Sequence, residues 1–140
     1  MRARPLIPLA LLLSACGSDP TPFEFSDGTL AYRAVTTTGL PLLEGRLTLR
    51  YLTDSTVEGT WTIRWSPGAD PTLPVGPQVG AGTLTGTRSG STLVLELNPE
   101  AADNNVGLVG EAVAGSLRGR WIWTTFTGPR ATGRFTAAPD

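Results

Sequence analysis

The chain has 140 residues, with eleven arginines, no lysine, twelve acidic residues, one cysteine and no histidine. The lack of histidine excludes serine–histidine and cysteine–histidine catalysis. With a single thiol there can be no intramolecular disulfide, and the usual ligands for zinc or copper are missing. A formal net charge of −1 gives no ground for expecting a nucleic-acid partner.

Taken in order, Arg2 and Arg4 precede an apolar run over residues 6–13, and the run closes on Leu13-Ser14-Ala15-Cys16. That run is well short of the roughly 18 to 20 residues that a membrane-spanning helix needs, so a cleaved secretory signal is expected. The order resembles the lipobox of bacterial lipoprotein precursors. The resemblance implies cleavage before Cys16, a diacylglyceryl thioether on its sulfur, and usually an added N-acyl chain. The membrane would then be a partner through lipid on Cys16. Two or more chains give stable anchoring where one is marginal, at about 0.8 kcal/mol per buried methylene. Gly17 stands where the inner-membrane retention pattern commonly has aspartate, which implies the outer membrane, facing the periplasm. On this reading residues 1–15 are signal peptide, 16–22 a lipidated tether, and 23–140 a single β-barrel domain. The mature part keeps 125 residues, enough for one core. Nine arginines against twelve acids leave it a net charge of −3.

From Phe23 onward the texture is that of strands. Threonine, valine, leucine and tryptophan alternate with polar residues, and glycine or proline interrupts every eight to twelve positions. The alternation predicts strands over 28–37, 44–52, 56–65, 79–87, 91–98, 106–114, 116–126 and 131–137. The links 53–55 and 88–90 are short enough for hairpins, with Gly90 suited to positive φ, and Gly128-Pro129 marks a further tight turn. No crossover helix is indicated, so neighbours should pair antiparallel. The fold class expected is all-β: a small up-and-down meander of eight strands closed into a barrel, which removes exposed edges.

A glycine flanked at two positions on either side by apolar or small residues recurs in these strands. It is centred on Gly45, Gly59, Gly110, Gly119 and Gly133, with a partial copy at Gly86. Period-two geometry places each on the face of its apolar neighbours, where it would let the sheet coil sharply and leave room for a large ring from across the core. If Trp61, Ile63, Trp65, Trp121 and Trp123 face inward, then Arg46, Arg50, Glu58, Arg64, Arg118, Arg120 and Arg134 face outward. The charges therefore agree with the aromatics.

Gly59-Thr60-Trp61 and Gly119-Arg120-Trp121 resemble the glycine-x-tryptophan of lipocalin-like and avidin-like barrels. The resemblance implies a barrel with an interior able to hold a small apolar ligand, lined by Trp61, Trp65, Trp121 and Trp123. It carries over no family-specific binding residue. Tyr32 and Tyr51 are the main inward polar tips. Competition among tryptophans and aliphatic side chains for so narrow an interior favours a filled core over a cavity.

The proline-rich stretch 66–78 should lie over one barrel end, as an irregular connection or a lid. Asp103-Asn104-Asn105 has oxygen ligands but lacks the spacing of a calcium loop, so a plain turn is expected. Glu44, Glu58, Glu96 and Glu111 point outward and do not converge as an acid–base pair would. Neither an enzyme nor a cofactor is expected. Val94, Val109 and Ile122 share the outer face of three successive strands, with Val113 and Phe126 near them, a candidate surface for a protein partner or homodimer. The expected role is that of a lipid-anchored cell-envelope protein, binding or structural and non-enzymatic. A carrier of a small apolar ligand is the alternative.

Overall fold

A computed structural model describes residue 17 and residues 21–140. The signal peptide and Cys16 lie outside the described residues. Eight strands follow one another: β1 (Gly28–Thr36), β2 (Pro41–Tyr51), β3 (Thr56–Trp65), β4 (Gly80–Ser89), β5 (Thr92–Glu96), β6 (Asn104–Val113), β7 (Ser116–Thr125) and β8 (Gly128–Pro139). Each pairs antiparallel with the next, and β8 returns to β1 from Leu30↔Pro139 to Thr36↔Gly133, closing the barrel. Among the described residues there is no helix.

The element order is the one the alternation predicts, and the differences lie at strand ends. Pro41 opens β2 three residues early, at a first position where a missing N–H costs no ladder bond. β6 begins at Asn104, because the asparagine amides at its start tie it to its neighbours. The β7–β8 turn is formed by Phe126 and Thr127 between paired Thr125 and Gly128, so Gly128-Pro129 begins a strand rather than making the turn. A register shift between Trp123 and Thr124 accommodates it. Gly90 does have positive φ, +61°, and opens the two-residue turn between Ser89 and Thr92. β4 runs to Ser89, which brings Arg88 to inward parity at the rim, where its guanidinium lies 4.0 Å from the Phe25 ring centroid.

Inside and outside divide as the parity argument expects. Tyr32, Leu47, Ile63, Leu84, Leu93, Leu95, Leu108, Leu117 and Trp121 are fully buried. Arg46, Arg50, Arg64, Arg118, Arg120 and Arg134 are exposed. Burying one tryptophan removes about 150 to 250 Å² from water, worth about 4 to 6 kcal/mol gross as an upper bound. Both mouths are stopped. At one end Phe23 and Phe25 pack edge to face at 5.1 Å, with Phe23 joining the core. At the other, Val75 and Gln78 of the proline-rich connection are buried. The wall, its core and both plugs come from residues 23–139, so a chain beginning at Gly17 contains the whole folding unit.

The glycines explain how so tight a wall closes, and they correct one expectation. Four large inward rings of the wall each stand directly opposite a glycine on an adjacent strand: Tyr32↔Gly45, Trp61↔Gly82, Trp121↔Gly133 and Phe135↔Gly119. At Gly82 and Gly133 the room is taken by the ring directly opposite, Trp61 and Trp121, and at Gly110 by the Phe135 ring from two strands away, not by one reaching from across the core. Gly59 and Gly119 meet backbone before any ring. A Cβ there would lie 1.9 Å from the Thr48 carbonyl oxygen and 1.8 Å from that of Val109. The sheet coils so sharply at these points that one strand's backbone occupies the place of the next strand's side chain.

Gly59→Ala and Gly119→Ala should accordingly destabilise by about 1 to 3 kcal/mol or more, since a ladder must move to admit the methyl group. Gly68 has φ +77° but open space around it, so Gly68→Ala should cost only the backbone strain, about 1 kcal/mol. Urea melts of the three variants test this order. Equal losses at all three sites would mean that conformational freedom, not close approach, is what the strand glycines supply.

Candidate functional site

The four tryptophans do not form one cage. Trp61 and Trp65 belong to β3, Trp121 and Trp123 to β7, four strands away around the ring. Trp61 and Trp121 are buried within the wall, whereas Trp65 and Trp123 are partly exposed near the mouth that the proline-rich connection closes. Three of their four indole N–H groups are engaged by the wall and its loops. The Trp61 indole N–H donates to the Leu97 carbonyl at 2.7 Å and is shared with that of Thr83 at 3.2 Å. Trp121 donates to the Val35 carbonyl at 3.1 Å, and Trp123 to Asn104 Oδ1 at 2.8 Å. Gly76 lies flat on Trp123, where a Cβ would come within 2.4 Å of the ring.

Between the two tryptophan pairs the axis of the barrel is occupied. Tyr32 stacks on Phe135 with ring centroids 5.8 Å apart. Its hydroxyl donates to Gln78 Oε1 at 3.0 Å, and Gln78 Nε2 donates to the Val75 carbonyl at 2.8 Å. Gln78 is fully buried, the one buried polar side chain among the described residues apart from Tyr32. Burial pushes the Tyr32 hydroxyl far above the ordinary tyrosine range, so it remains a neutral donor. Asn98 Nδ2 donates to the Pro77 carbonyl at 2.8 Å, which pins the connection to the neighbouring loop. The stretch 66–78 thus lies over the barrel end as expected, and it sends Gln78 into the interior. Sequence reasoning missed Gln78, because a single polar residue in a proline-rich loop has no periodicity to reveal its direction.

The remaining candidates have simple placements. Asn104 and Asn105 serve as strand-end connectors: Asn105 Oδ1 accepts the Asn98 N–H at 2.9 Å and its amide donates to Glu96. Among the described residues no group of acidic or thiol side chains could hold a metal ion. At the mouth opposite Gln78, burial raises the Tyr51 hydroxyl above its usual range, and that hydroxyl is buried without a hydrogen-bond partner. Glu44 and Glu58 are engaged by Arg64 and Arg50 across β2 and β3.

On the outer face Val94 and Val109 are directly paired, with Ile122 diagonal to Val109 on the next strand. All three are half-buried. Val113 and Phe126 do not extend this strip, contrary to expectation: they sit at opposite ends of the β6–β7 hairpin. Each is four residues along its strand from the patch, about 13 Å.

The fold and its contents define a closed, eight-stranded up-and-down barrel with a side-chain-filled interior and plugged ends. Comparison with protein-family models, curated proteins and solved structures finds no match to this chain.

The Tyr32–Gln78 contact has a signature in pH. The fold holds the tyrosine in its neutral form, with a pKa above the unfolded value near 10. Its contribution is complete below that pH and is lost as pH rises above it, with a slope up to about 1.4 kcal/mol per unit. Tyr32→Phe should destabilise by about 1 to 3 kcal/mol at neutral pH by leaving Gln78 Oε1 unpaired. In urea titrations the gap from wild type should then narrow above pH 10, the weaker response of Tyr51 remaining in both. A gap constant with pH would place the titration elsewhere.

Proposed function

We propose that the protein is a lipid-anchored, non-enzymatic component of the cell envelope, carried by Cys16 at the outer membrane. Its barrel acts as a rigid module through its outer surface. The observation that carries the outward reading is the filled interior: Tyr32, Phe135 and Gln78 take the space along the axis that a guest would need. A buried polar guest would also find few free partners, since three of the four indole N–H groups and the Gln78 amide are already engaged. The anchor rests on Leu13-Ser14-Ala15-Cys16 and on the short polar stretch that separates it from the Phe23 plug.

Metabolic labelling with a fatty-acid analogue should mark the wild-type protein and leave Cys16→Ser unmarked. Equal labelling of both would remove the anchor from the account. A soluble form beginning at Gly17, titrated with a fatty acid while tryptophan emission is followed, should show no saturable response. One-to-one quenching at micromolar concentration would instead favour a carrier of small apolar ligands.

A further inference from the structure

The arginines are not spread evenly around the barrel. On β2 and β3 every arginine has an acidic partner: Arg50 and Arg64 are bonded to Glu58 and Glu44 directly across the ladder, and Arg46 to Asp140. Strands β7, β8 and β1 differ: they carry Arg118, Arg120, Arg130, Arg134 and Arg33 and contain no acidic residue. All five arginines are exposed, and none is ion-paired among the described residues. Arg120 and Arg134 stand directly opposite each other, a like-charge pair that ordinary sheet pairing disfavours. The bordering acids are otherwise engaged. Glu44, opposite Arg33, is held by Arg64, and Glu111, opposite Arg118, accepts from Ser91 and Thr92.

The β7–β8 hairpin ends in Phe126, 89% exposed at its tip and the most exposed large apolar residue among those described. Arg118 to Phe126 spans eight residues of an extended strand, about 26 Å. The strip therefore runs along one side of the barrel, basic for most of its length and aromatic at one end. Thr21 lies against the β6–β7 turn, its carbonyl 2.7 Å from where a Gly115 Cβ would be. Thr21 thus lies beside the other end of the strip.

We propose that the β7–β8–β1 face is a docking surface for an anionic lipid bilayer, its arginines on headgroup phosphates and Phe126 in the interfacial layer. Guanidinium forks match phosphate oxygens bidentately. An aromatic ring at the end of a basic strip suits the boundary between headgroups and acyl chains, a place that a water-borne polyanion does not offer. A net charge of −3 after loss of residues 1–15 does not oppose this, because a surface field is screened within about 8 to 10 Å and responds to the face presented. The docking goes beyond the anchor reading and does not need it, since the whole surface lies after Gly17.

The soluble form beginning at Gly17 separates the two. It should co-sediment with vesicles containing phosphatidylglycerol, not with phosphatidylcholine alone, and added salt should weaken the binding. Each basic residue near such a surface contributes about fivefold in affinity. Arg120→Ser with Arg134→Ser should then weaken binding by about 25-fold. Both positions are exposed and mutually repulsive, so a cooperative melt should survive. This form has no cysteine, so Phe126→Cys can carry a polarity-sensitive fluorophore whose emission should shift to the blue on the vesicles. The proposal is overturned by equal binding to both lipids, or by an equal loss in Arg50→Ser with Arg64→Ser. Binding to heparin without any vesicle-induced blue shift would likewise overturn it, and would mark a general polyanion surface. Failure of any of these leaves the Cys16 labelling result untouched.

Discussion

The structure depends on the approach of glycine backbone to a neighbouring strand inside a narrow closed wall. Eight strands enclose a space only just wide enough for side chains. Four large rings, Tyr32, Trp61, Trp121 and Phe135, enter it from the wall, and each has a glycine directly opposite on an adjacent strand. A side chain at those glycines would meet either the ring or a carbonyl at well under contact distance. Glycine normally weakens a strand, and here it is the condition for curvature and for aromatic packing together.

The arrangement of the interior follows from that constraint. With the rings folded against the wall, the indole N–H groups reach carbonyls and an amide at the wall and rim, and the axis is left to Tyr32 and Gln78. A hydroxyl in so apolar a place is costly unless paired. The proline-rich connection supplies its partner by turning Gln78 inward, and Gly76 lets the same loop lie on Trp123. One loop therefore closes the mouth and satisfies the core's polar group. Phe23 and Phe25 close the other mouth without a comparable network, and there the Tyr51 hydroxyl remains unpaired.

A filled barrel moves attention to its outer wall. Charge there is sorted by strand: arginine and glutamate alternate across β2 and β3, while β7, β8 and β1 carry arginine alone. Overall charge hides this segregation, because the acids that balance it sit on other strands and at the barrel ends. An electrostatic surface is a property of the closed sheet, in which β8 comes to lie beside β1 although a hundred residues separate them in the chain.

Strand periodicity was enough to establish a great deal from the residues alone. Two-residue alternation in Trp61-Thr62-Ile63-Arg64-Trp65 and in Arg118-Gly119-Arg120-Trp121 set which face is buried, and turn-forming residues set the number and order of strands. Those signals are local, so they are legible in sequence. Three other features were decided by tertiary structure. The inward turn of Gln78 depends on a hydroxyl 46 residues away. The use of Gly59 and Gly119 depends on how near the neighbouring backbone comes, which no period encodes. The arginine face depends on closure, because only the pairing of β1 with β8 brings Arg33 beside the arginines of the last hairpin. Alternation specifies which side of a strand a residue takes, whereas its neighbours across the barrel are specified by the radius at which the sheet closes.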